Sequence, residues 1–226
     1  MHTYTFWQLA IQYTIEIPIV QRDYAQGRED AKSKEIREKF LADLKYSLIS
    51  KKPLELDFVY GKVNNKTFVP IDGQQRLTTL FLLHWYVGVR LGKEEIKKLS
   101  FSYKTRISAR DFCTGLIKEN LFLNIICDTF SDNIKNMPWF FLAWEKDPTV
   151  QSMLNMLDSI HQKFNDKHQL EGIWSLLTES NYVLSKDNPK LNELVNLIRF
   201  DEDVNQQIED KLEEVSNEPV VSFKFL

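Results

Sequence analysis

Apolar residues recur along the chain with two different periods, and each period predicts one kind of element. A short apolar run at 6–11 predicts a helix capped by Thr5, and the β-branched run at 14–18 predicts a strand closed by Pro18. Between 31 and 50 an apolar residue returns at every fourth position, which predicts an amphipathic helix with one buried face. That predicted face consists of Ile36, Phe40, Leu44 and Leu48.

The middle of the chain predicts a hairpin that leads into a buried helix. Two β-rich runs at 56–60 and 66–71 flank a loop at 61–65, whose Asn pair tolerates positive φ. After a short polar stretch, residues 77–91 are apolar almost all round, so we expect this helix to be buried on most sides. His84 lies within it and is expected to be a core histidine.

Beyond Gly92 the pattern becomes helical, and we place a domain boundary there. The expected fold class is α+β, with a small mixed sheet and helices at 1–91 and a mostly helical subdomain at 92–226. The alternating residues 219–226 predict a strand, and its apolar end suggests that the chain is truncated. The later helices are predicted at about 108–119, 121–130, 138–145, 149–165, 169–178, 190–199 and 203–215.

Composition excludes several classes of protein. Two cysteines and four histidines are too few soft ligands for a Cys/His zinc cage, and we expect His161 and His168 at the surface. The first residues show no leader pattern, and the longest apolar run is too short for a bilayer. We therefore expect a cytoplasmic protein without membrane contact.

The net charge of −3 conceals an uneven distribution. Residues 22–110 hold 19 Lys and Arg against 11 Asp and Glu, whereas the remainder holds 10 against 21. A basic block of this kind attracts phosphate, but in a helical domain it is equally consistent with a solvated face. Charge alone leaves both interpretations open.

The polar stretch before the buried helix carries the strongest chemical signal. A helix N-terminus favours an anion through its amides and its dipole. Gly73 lets the backbone approach a ligand, and Arg76 offers a fork suited to phosphate oxygens. Gln74 and Gln75 add amide donors, and Asp72 suits magnesium coordination, ribose contact or water activation. The alternative is that these residues simply cap the helix.

Three blocks resemble the N-terminal domain of the GmrSD family of modification-dependent restriction systems. The Asp-Gly-Gln-Gln-Arg core is the signature of that family, and a Pro-x-x-Gln-Arg-x-Tyr element is its usual companion. Many relatives have Tyr-x-Trp where this chain has Tyr24-Ala25-Gln26. The blocks are Ile17-Pro18-Ile19-Val20-Gln21-Arg22-Asp23-Tyr24, Ile71-Asp72-Gly73-Gln74-Gln75-Arg76-Leu77-Thr78-Thr79-Leu80 and the weaker Ser108-Ala109-Arg110-Asp111-Phe112.

The resemblance implies a ParB/sulfiredoxin-like fold, in which a strand, a loop and a helix N-terminus bind nucleotide phosphates. It also implies hydrolysis of a nucleoside triphosphate (NTP) with Mg²⁺, coupled to a nuclease domain in anti-phage defence. The expected catalytic residues are Asp72, Gln75 and Arg76, and Asp72 is also the expected metal ligand. The expected nucleotide-binding residues are Gln21, Arg22, Gly73, Gln74, Thr78 and Arg110.

The same resemblance assigns DNA cleavage to a His-metal finger domain, and no Asn-His pattern accompanies His161 or His168. Nuclease activity is therefore not expected of this chain alone, and the expected partners are an NTP and a nuclease domain or subunit. The alternative is a DNA-binding or specificity module without catalysis, in which residues 22–110 contact DNA phosphates. A sulfiredoxin-type reductase fits poorly, because residues 73–76 contain no cysteine.

Overall fold

The structure, a computed structural model, describes residues 2–18, 23–50, 56–119, 127–178, 197–200 and 222–225 in an α+β fold. Its strands are β1 (His2–Thr5), β2 (Thr14–Ile17), β3 (Leu56–Asn64), β4 (Thr67–Asp72), β5 (Phe101–Tyr103), β6 (Leu197–Phe200) and β7 (Ser222–Phe225). Its helices are α1 (Phe6–Gln12), α2 (Ala31–Ser50), α3 (Gln74–Leu91), α4 (Ile107–Lys118), α5 (Phe130–Lys135), α6 (Pro148–Phe164) and α7 (Lys167–Thr178). Short 3₁₀ turns lie at Glu94–Lys98 and Leu142–Lys146.

Capping residues set the ends of several helices. Thr5 accepts a hydrogen bond from the Gln8 amide at 3.1 Å, and the Gln8 side chain accepts one from the Thr5 amide at 2.9 Å. This reciprocal pair is a capping box, and it starts α1 where the sequence predicts. Asp147 caps α6 in a similar position, with Pro148 as the first helical residue.

The described strands form one mixed sheet in the order β1-β6-β7-β3-β4-β2-β5. Strand β2 runs parallel to both of its neighbours, β4 and β5, whereas the other adjacent pairs are antiparallel. Because parallel strands point the same way, β2, β4 and β5 all deliver the chain to the same edge of the sheet. The predicted α+β class is therefore confirmed.

Helix α3 forms the centre of the core. Its side chains from Leu77 to Val89 are all buried, as the continuous apolar pattern predicts. The helix packs mainly against α6 and α7, and Gly88 allows Ile96 and Trp174 to approach its backbone closely. His84 is fully buried here, as predicted, with its ring nitrogens facing the carbonyl oxygens of Leu80 and Leu177.

Helix α2 is confirmed, but its buried face differs from the predicted one. Ile36 is 48% exposed, whereas the neighbouring Arg37 is buried. The reason is that the Arg37 guanidinium finds carbonyl and carboxylate partners inside the fold, so its long side chain can be covered. The buried residues of α2 are Arg37, Leu41, Leu44, Ser47 and Leu48.

The hairpin is confirmed with a tighter turn than predicted. Strand β3 continues through 61–64, which the sequence assigned to the loop, and pairs with β4 as far as Asn64 opposite Thr67. Only Asn65 and Lys66 lie between the two strands, and Asn65 has a φ of 54°. An Asn at positive φ suits a two-residue turn, so the pairing of the strands can extend to its end.

The later helices are confirmed at α4, α6 and α7 and corrected elsewhere. The predicted helix at 121–130 falls partly on residues 121–126, which lie outside the described residues, and α5 begins at its end. The segment at 138–145 holds only a 3₁₀ turn, because Trp139, Phe140 and Trp144 pack their rings against Phe112 instead.

Two further predictions concern the end of the chain. Residues 197–200 form β6 rather than the end of a helix at 190–199, because this apolar run pairs with β1. The strand predicted at 219–226 is confirmed over 222–225 as β7. The helix predicted at 203–215 lies outside the described residues.

Strands from both sides of the predicted boundary at Gly92 share the sheet. Strand β5 pairs with β2, and β7 pairs with β3. One hydrophobic cluster also extends from α1 to α7. In the part of the chain that the structure describes, no helix is long and apolar enough to cross a membrane.

Candidate functional site

Three chain segments meet where the parallel strands β2, β4 and β5 end. Strand β4 ends at Asp72, and α3 begins two residues later. The Lys104 amide donates to the Ile17 carbonyl at 2.9 Å, which joins the segments that follow β5 and β2. Ligands of open sheets with parallel strands commonly bind outside the carboxyl ends of the strands. This edge of the sheet is therefore where a ligand is expected to bind.

Gly73 makes the sharp connection from β4 into α3. Its φ is 85°, in the left-handed region, and a Cβ atom at this position would lie 2.5 Å from a methyl carbon of Val59. Its carbonyl accepts the Leu77 amide at 3.0 Å as the helix begins. As the N-cap residue, Gly73 has no side chain to cover the first turn of α3. The site therefore depends on glycine in both conformation and space.

The first turn of α3 lies beside one exposed carboxylate. Asp72 and Arg76 form an ion pair, with 3.7 Å between Oδ2 and Nη2. The Asp72 side chain is 59% exposed, but that of Arg76 is only 15% exposed. Arg76 is thus fixed by the protein, and Asp72 faces solvent at the edge of the sheet.

Gln75 holds the segment that follows β2. Its Oε1 accepts the amides of Ala25 and Gln26 at 2.8 and 3.2 Å, and its Nε2 donates to the Asp23 carbonyl at 2.9 Å. Both ends of the side-chain amide are therefore committed to residues 23–26. The sequence predicts Gln75 as catalytic, and in the structure its side-chain amide contacts the backbone of this segment.

Tyr24 and Gln26 anchor the same segment to the second turn of α3. The Thr79 hydroxyl lies 2.6 Å from the Tyr24 hydroxyl and 2.6 Å from Gln26 Oε1. Burial raises the pKa of Tyr24 above its usual range, so this phenol stays protonated and hydrogen-bonded. The Tyr of the Pro-x-x-Gln-Arg-x-Tyr element is thus a core anchor of the loop.

The other predicted nucleotide-binding residues differ in burial: two are buried, one is exposed, and two lie outside the described residues. Gln74 is buried in the first turn of α3, and Thr78 is buried with its hydroxyl 3.0 Å from that of Tyr103. Arg110 is exposed on the first half of α4 and donates to the Asp111 carboxylate at 3.0 Å. Gln21 and Arg22 lie outside the described residues.

The structure adds an ion pair that the sequence did not suggest. Arg106, which immediately precedes α4, contacts Asp23 Oδ1 through Nη2, and Arg28 lies 3.5 Å from Oδ2 of the same carboxylate. Arg106 and Asp23 are far apart in sequence and belong to separate loops, so only the fold brings them together. The block Ser108–Phe112 was the nearest sequence signal, and it begins two residues after Arg106.

Arg37 supports the loop from the opposite side. Its Nη1 donates to the carbonyls of Gln26 and Arg28 at 3.3 and 3.0 Å, and its Nη2 lies 3.0 Å from Glu29 Oε1. Asn155 on α6 donates to the Gly27 carbonyl at 3.1 Å. Sequence reasoning missed Arg37, although its spacing of four from Leu41 put it on the buried stripe of α2.

Among the described residues, no group of three or more His, Cys, Asp and Glu side chains could hold a metal ion. Mg²⁺ commonly uses one or two protein carboxylates and completes its shell with phosphate oxygens and water. Exposed Asp72 beside the first turn of α3 fits that pattern. The donor set is therefore suited to a Mg²⁺ ion that arrives with a phosphate ligand.

Fold and site together define an α+β domain with a glycine turn, a helix N-terminus, an arginine and one exposed carboxylate at the edge of its parallel strands. The family described as "GmrSD restriction endonuclease, N-terminal domain" matches residues 6–219. The chain belongs to this family, and the expected membership is confirmed. No curated protein and no solved structure matches the chain.

Proposed function

We propose that this domain binds an NTP at the carboxyl ends of β2, β4 and β5 and hydrolyses it. The observation that carries the proposal is the cluster formed by Gly73, Arg76 and Asp72 at the start of α3. The helix dipole and the first backbone amides of α3 favour a phosphate group. The planar guanidinium of Arg76 can donate two hydrogen bonds to the oxygens of that phosphate. We also propose that the fold is of the ParB/sulfiredoxin-like type.

The chain's own residues have separate tasks in this proposal. The first turn of α3 and Arg76 hold the phosphates and stabilise the negative charge that shifts toward the leaving oxygen. Gln75 keeps residues 23–26 beside that turn. Asp72 accepts the proton of the water that attacks the terminal phosphorus, or it holds Mg²⁺. Bound Mg²⁺ would neutralise phosphate charge.

The biological role follows from the family. The chain is the N-terminal domain of a restriction system, and we propose that NTP turnover here regulates a separate nuclease domain or subunit. NTP binding would therefore act as the control step and cleavage as the response.

Phosphate release tests the proposal. The protein is incubated with ATP, GTP, CTP or UTP and MgCl₂, and inorganic phosphate is measured over time. We expect release with at least one NTP, and a rate about a hundredfold or more lower for Asp72→Asn, because a general base contributes about that much. Asp128→Asn, which changes another exposed carboxylate, should behave as the wild type. The proposal fails if the wild type neither binds nor hydrolyses any of the four.

The alternative, a DNA-binding module, receives less support from the structure. At least eight basic residues of the 22–110 block form ion pairs within the fold, so these side chains are held by carboxylates and do not form an open row of unpaired cations. Tight duplex DNA binding that weakens steeply with salt would nevertheless favour it. The paired residues are Arg28, Lys34, Arg37, Arg76, Lys93, Lys97, Arg106 and Arg110.

A further inference from the structure

We propose that Arg106 is an additional phosphate-binding residue of this site, and that Asp23 holds it in place until a ligand arrives. The inference rests on the proposed NTP binding and extends it, because it assigns Arg106 to the phosphate chain and not to the base. Binding would then depend on phosphates that all four NTPs share.

The position of Arg106 follows from the sheet. Strand β5 ends at Tyr103, and the next residue donates its amide to the last residue of β2. Arg106 is the N-cap residue of α4, three positions beyond the end of β5. It therefore lies on the same edge of the sheet as the first turn of α3.

A chain of contacts connects Arg106 to that first turn. The Gln75 side chain donates to the Asp23 carbonyl at 2.9 Å, and the Asp23 carboxylate contacts the Arg106 guanidinium. Asp23 therefore contacts both Arg106 and Gln75, the α3 residue that holds residues 23–26. The Asp23 backbone is held by Gln75, so it keeps its place whether or not its carboxylate pairs with Arg106.

The charges at this point favour an anion. Two guanidinium groups, those of Arg106 and Arg28, share the single Asp23 carboxylate. The pair is also accessible, since the side chains of Arg106 and Asp23 are 33% and 32% exposed. An arriving phosphate chain can take Arg106 from Asp23, because the carboxylate still retains Arg28. Arginine suits this exchange, since its planar fork matches phosphate as well as carboxylate geometry.

Calorimetric titration of the full chain tests the assignment, with ATP, GTP, CTP, UTP and inorganic tripolyphosphate as probes, each with MgCl₂. We expect Arg106→Gln to weaken every probe that the wild type binds by about tenfold or more, as for loss of hydrogen bonds to a charged group. Asp23→Asn should bind at least as tightly as the wild type, because a competing carboxylate is gone. Lys104→Gln removes one positive charge from the same loop and should change affinity by no more than about twofold, as expected for a screened surface charge.

The outcomes separate this inference from the proposal on which it rests. If the wild type binds an NTP but Arg106→Gln stays within twofold of it, Arg106 does not contact phosphate. If Asp23→Asn and Arg106→Gln weaken binding equally, the ion pair is only structural, and the inference is overturned. If Lys104→Gln weakens binding as much as Arg106→Gln does, only the overall positive charge of the loop matters, and the inference is likewise overturned. If the wild type binds none of the probes, the proposed NTP binding fails together with it. Melting temperatures of the free variants confirm that each one is folded.

Discussion

At the residue scale, Gly73 limits what the site can tolerate. A side chain at this position meets two penalties, since the backbone is left-handed and Val59 occupies the space of a Cβ atom. Gly92 has a φ of 66° but nothing within 4 Å of the same point. The two glycines therefore separate the cost of the backbone conformation from the cost of the contact.

We expect Gly73→Ala to destabilise the protein more than Gly92→Ala. The left-handed backbone should cost each variant about 1 kcal/mol, and overpacking against Val59 should add about 1–3 kcal/mol to Gly73→Ala alone. Urea unfolding of both variants measures the difference. Equal losses would show that Val59 moves aside without cost.

Site residues that lie close together in the chain could be predicted from sequence, but their contacts with distant residues could not. Asp72, Gly73 and Arg76 lie within five residues of one another in a polar stretch before a buried helix, so the pattern itself indicates them. The bond from the Ala25 amide to Gln75 spans 50 positions, and nothing local in the sequence marks it. The pair of Arg106 with Asp23 is hidden for the same reason.

At the element scale, the loop at 23–30 connects the site to the helices. Gln75 on α3, Arg37 on α2 and Asn155 on α6 each bind its backbone. Gly27 lies so close to Ser152 that a Cβ atom there would be 1.7 Å from its carbonyl oxygen. The conformation of this loop therefore depends on contacts with three helices as well as on its own Gly27.

Gln75→Ala should loosen this loop without unfolding α3. The variant removes both acceptor contacts to the amides of Ala25 and Gln26, so we expect these amides to exchange with solvent about tenfold faster or more, as for loss of about one to two hydrogen bonds. Hydrogen–deuterium exchange followed by NMR measures the rates. Gln162→Ala, at an exposed position of α6, is the control. Unchanged rates at residues 25 and 26 would show that Gln75 does not hold the loop.

Helix periodicity predicted α2 and α3 for different reasons. Helix α3 is apolar almost all round from Leu77 onward, so any register predicts burial, but it begins at Gln74, three residues before the predicted start. Helix α2 has a narrower apolar face, so its buried side depends on the register. A prediction that places every charged residue at the surface is wrong here, because an arginine is buried. The prediction therefore chose Ile36 although Arg37 is the buried residue.

At the scale of the whole molecule, the sequence predicted the fold class but not the extent of the sheet. Strand β6 is a short, mostly apolar run far from β1, with which it pairs, and the partner of the predicted strand β7 is the distant β3. A run like that of β6 fits a helix or a strand equally well until its partner is known. The histidines show a similar limit, since the expected surface residue His161 is half-buried and lies 3.0 Å from the Tyr86 hydroxyl.

The buried His84 predicts how stability depends on pH. Burial lowers the pKa of His84 from 6.5 to about 4, so the unfolded chain takes up a proton at this residue before the folded one does. Stability should therefore fall as pH decreases from about 6.5 to about 4, by about 3 kcal/mol in total from this group. Above pH 7 its contribution is fully present.

Urea unfolding at pH 7.5 and pH 5.0 measures this effect. The wild type should lose about 2 kcal/mol between these values through His84, and His84→Gln should lose correspondingly less. His168→Gln, at an exposed position, should keep the full dependence. Equal dependence in wild type and His84→Gln would show that another group is responsible.

The central claim is that a nucleotide's phosphates bind at the first turn of α3. A crystal structure of the protein with Mg²⁺ and a non-hydrolysable analogue of the NTP that binds best tests it most directly. We predict phosphate density about 3 Å from the amides that follow Gly73, with Asp72, Arg76 and Arg106 around it. The claim is contradicted if the analogue binds at saturation and its phosphates lie away from this edge of the sheet.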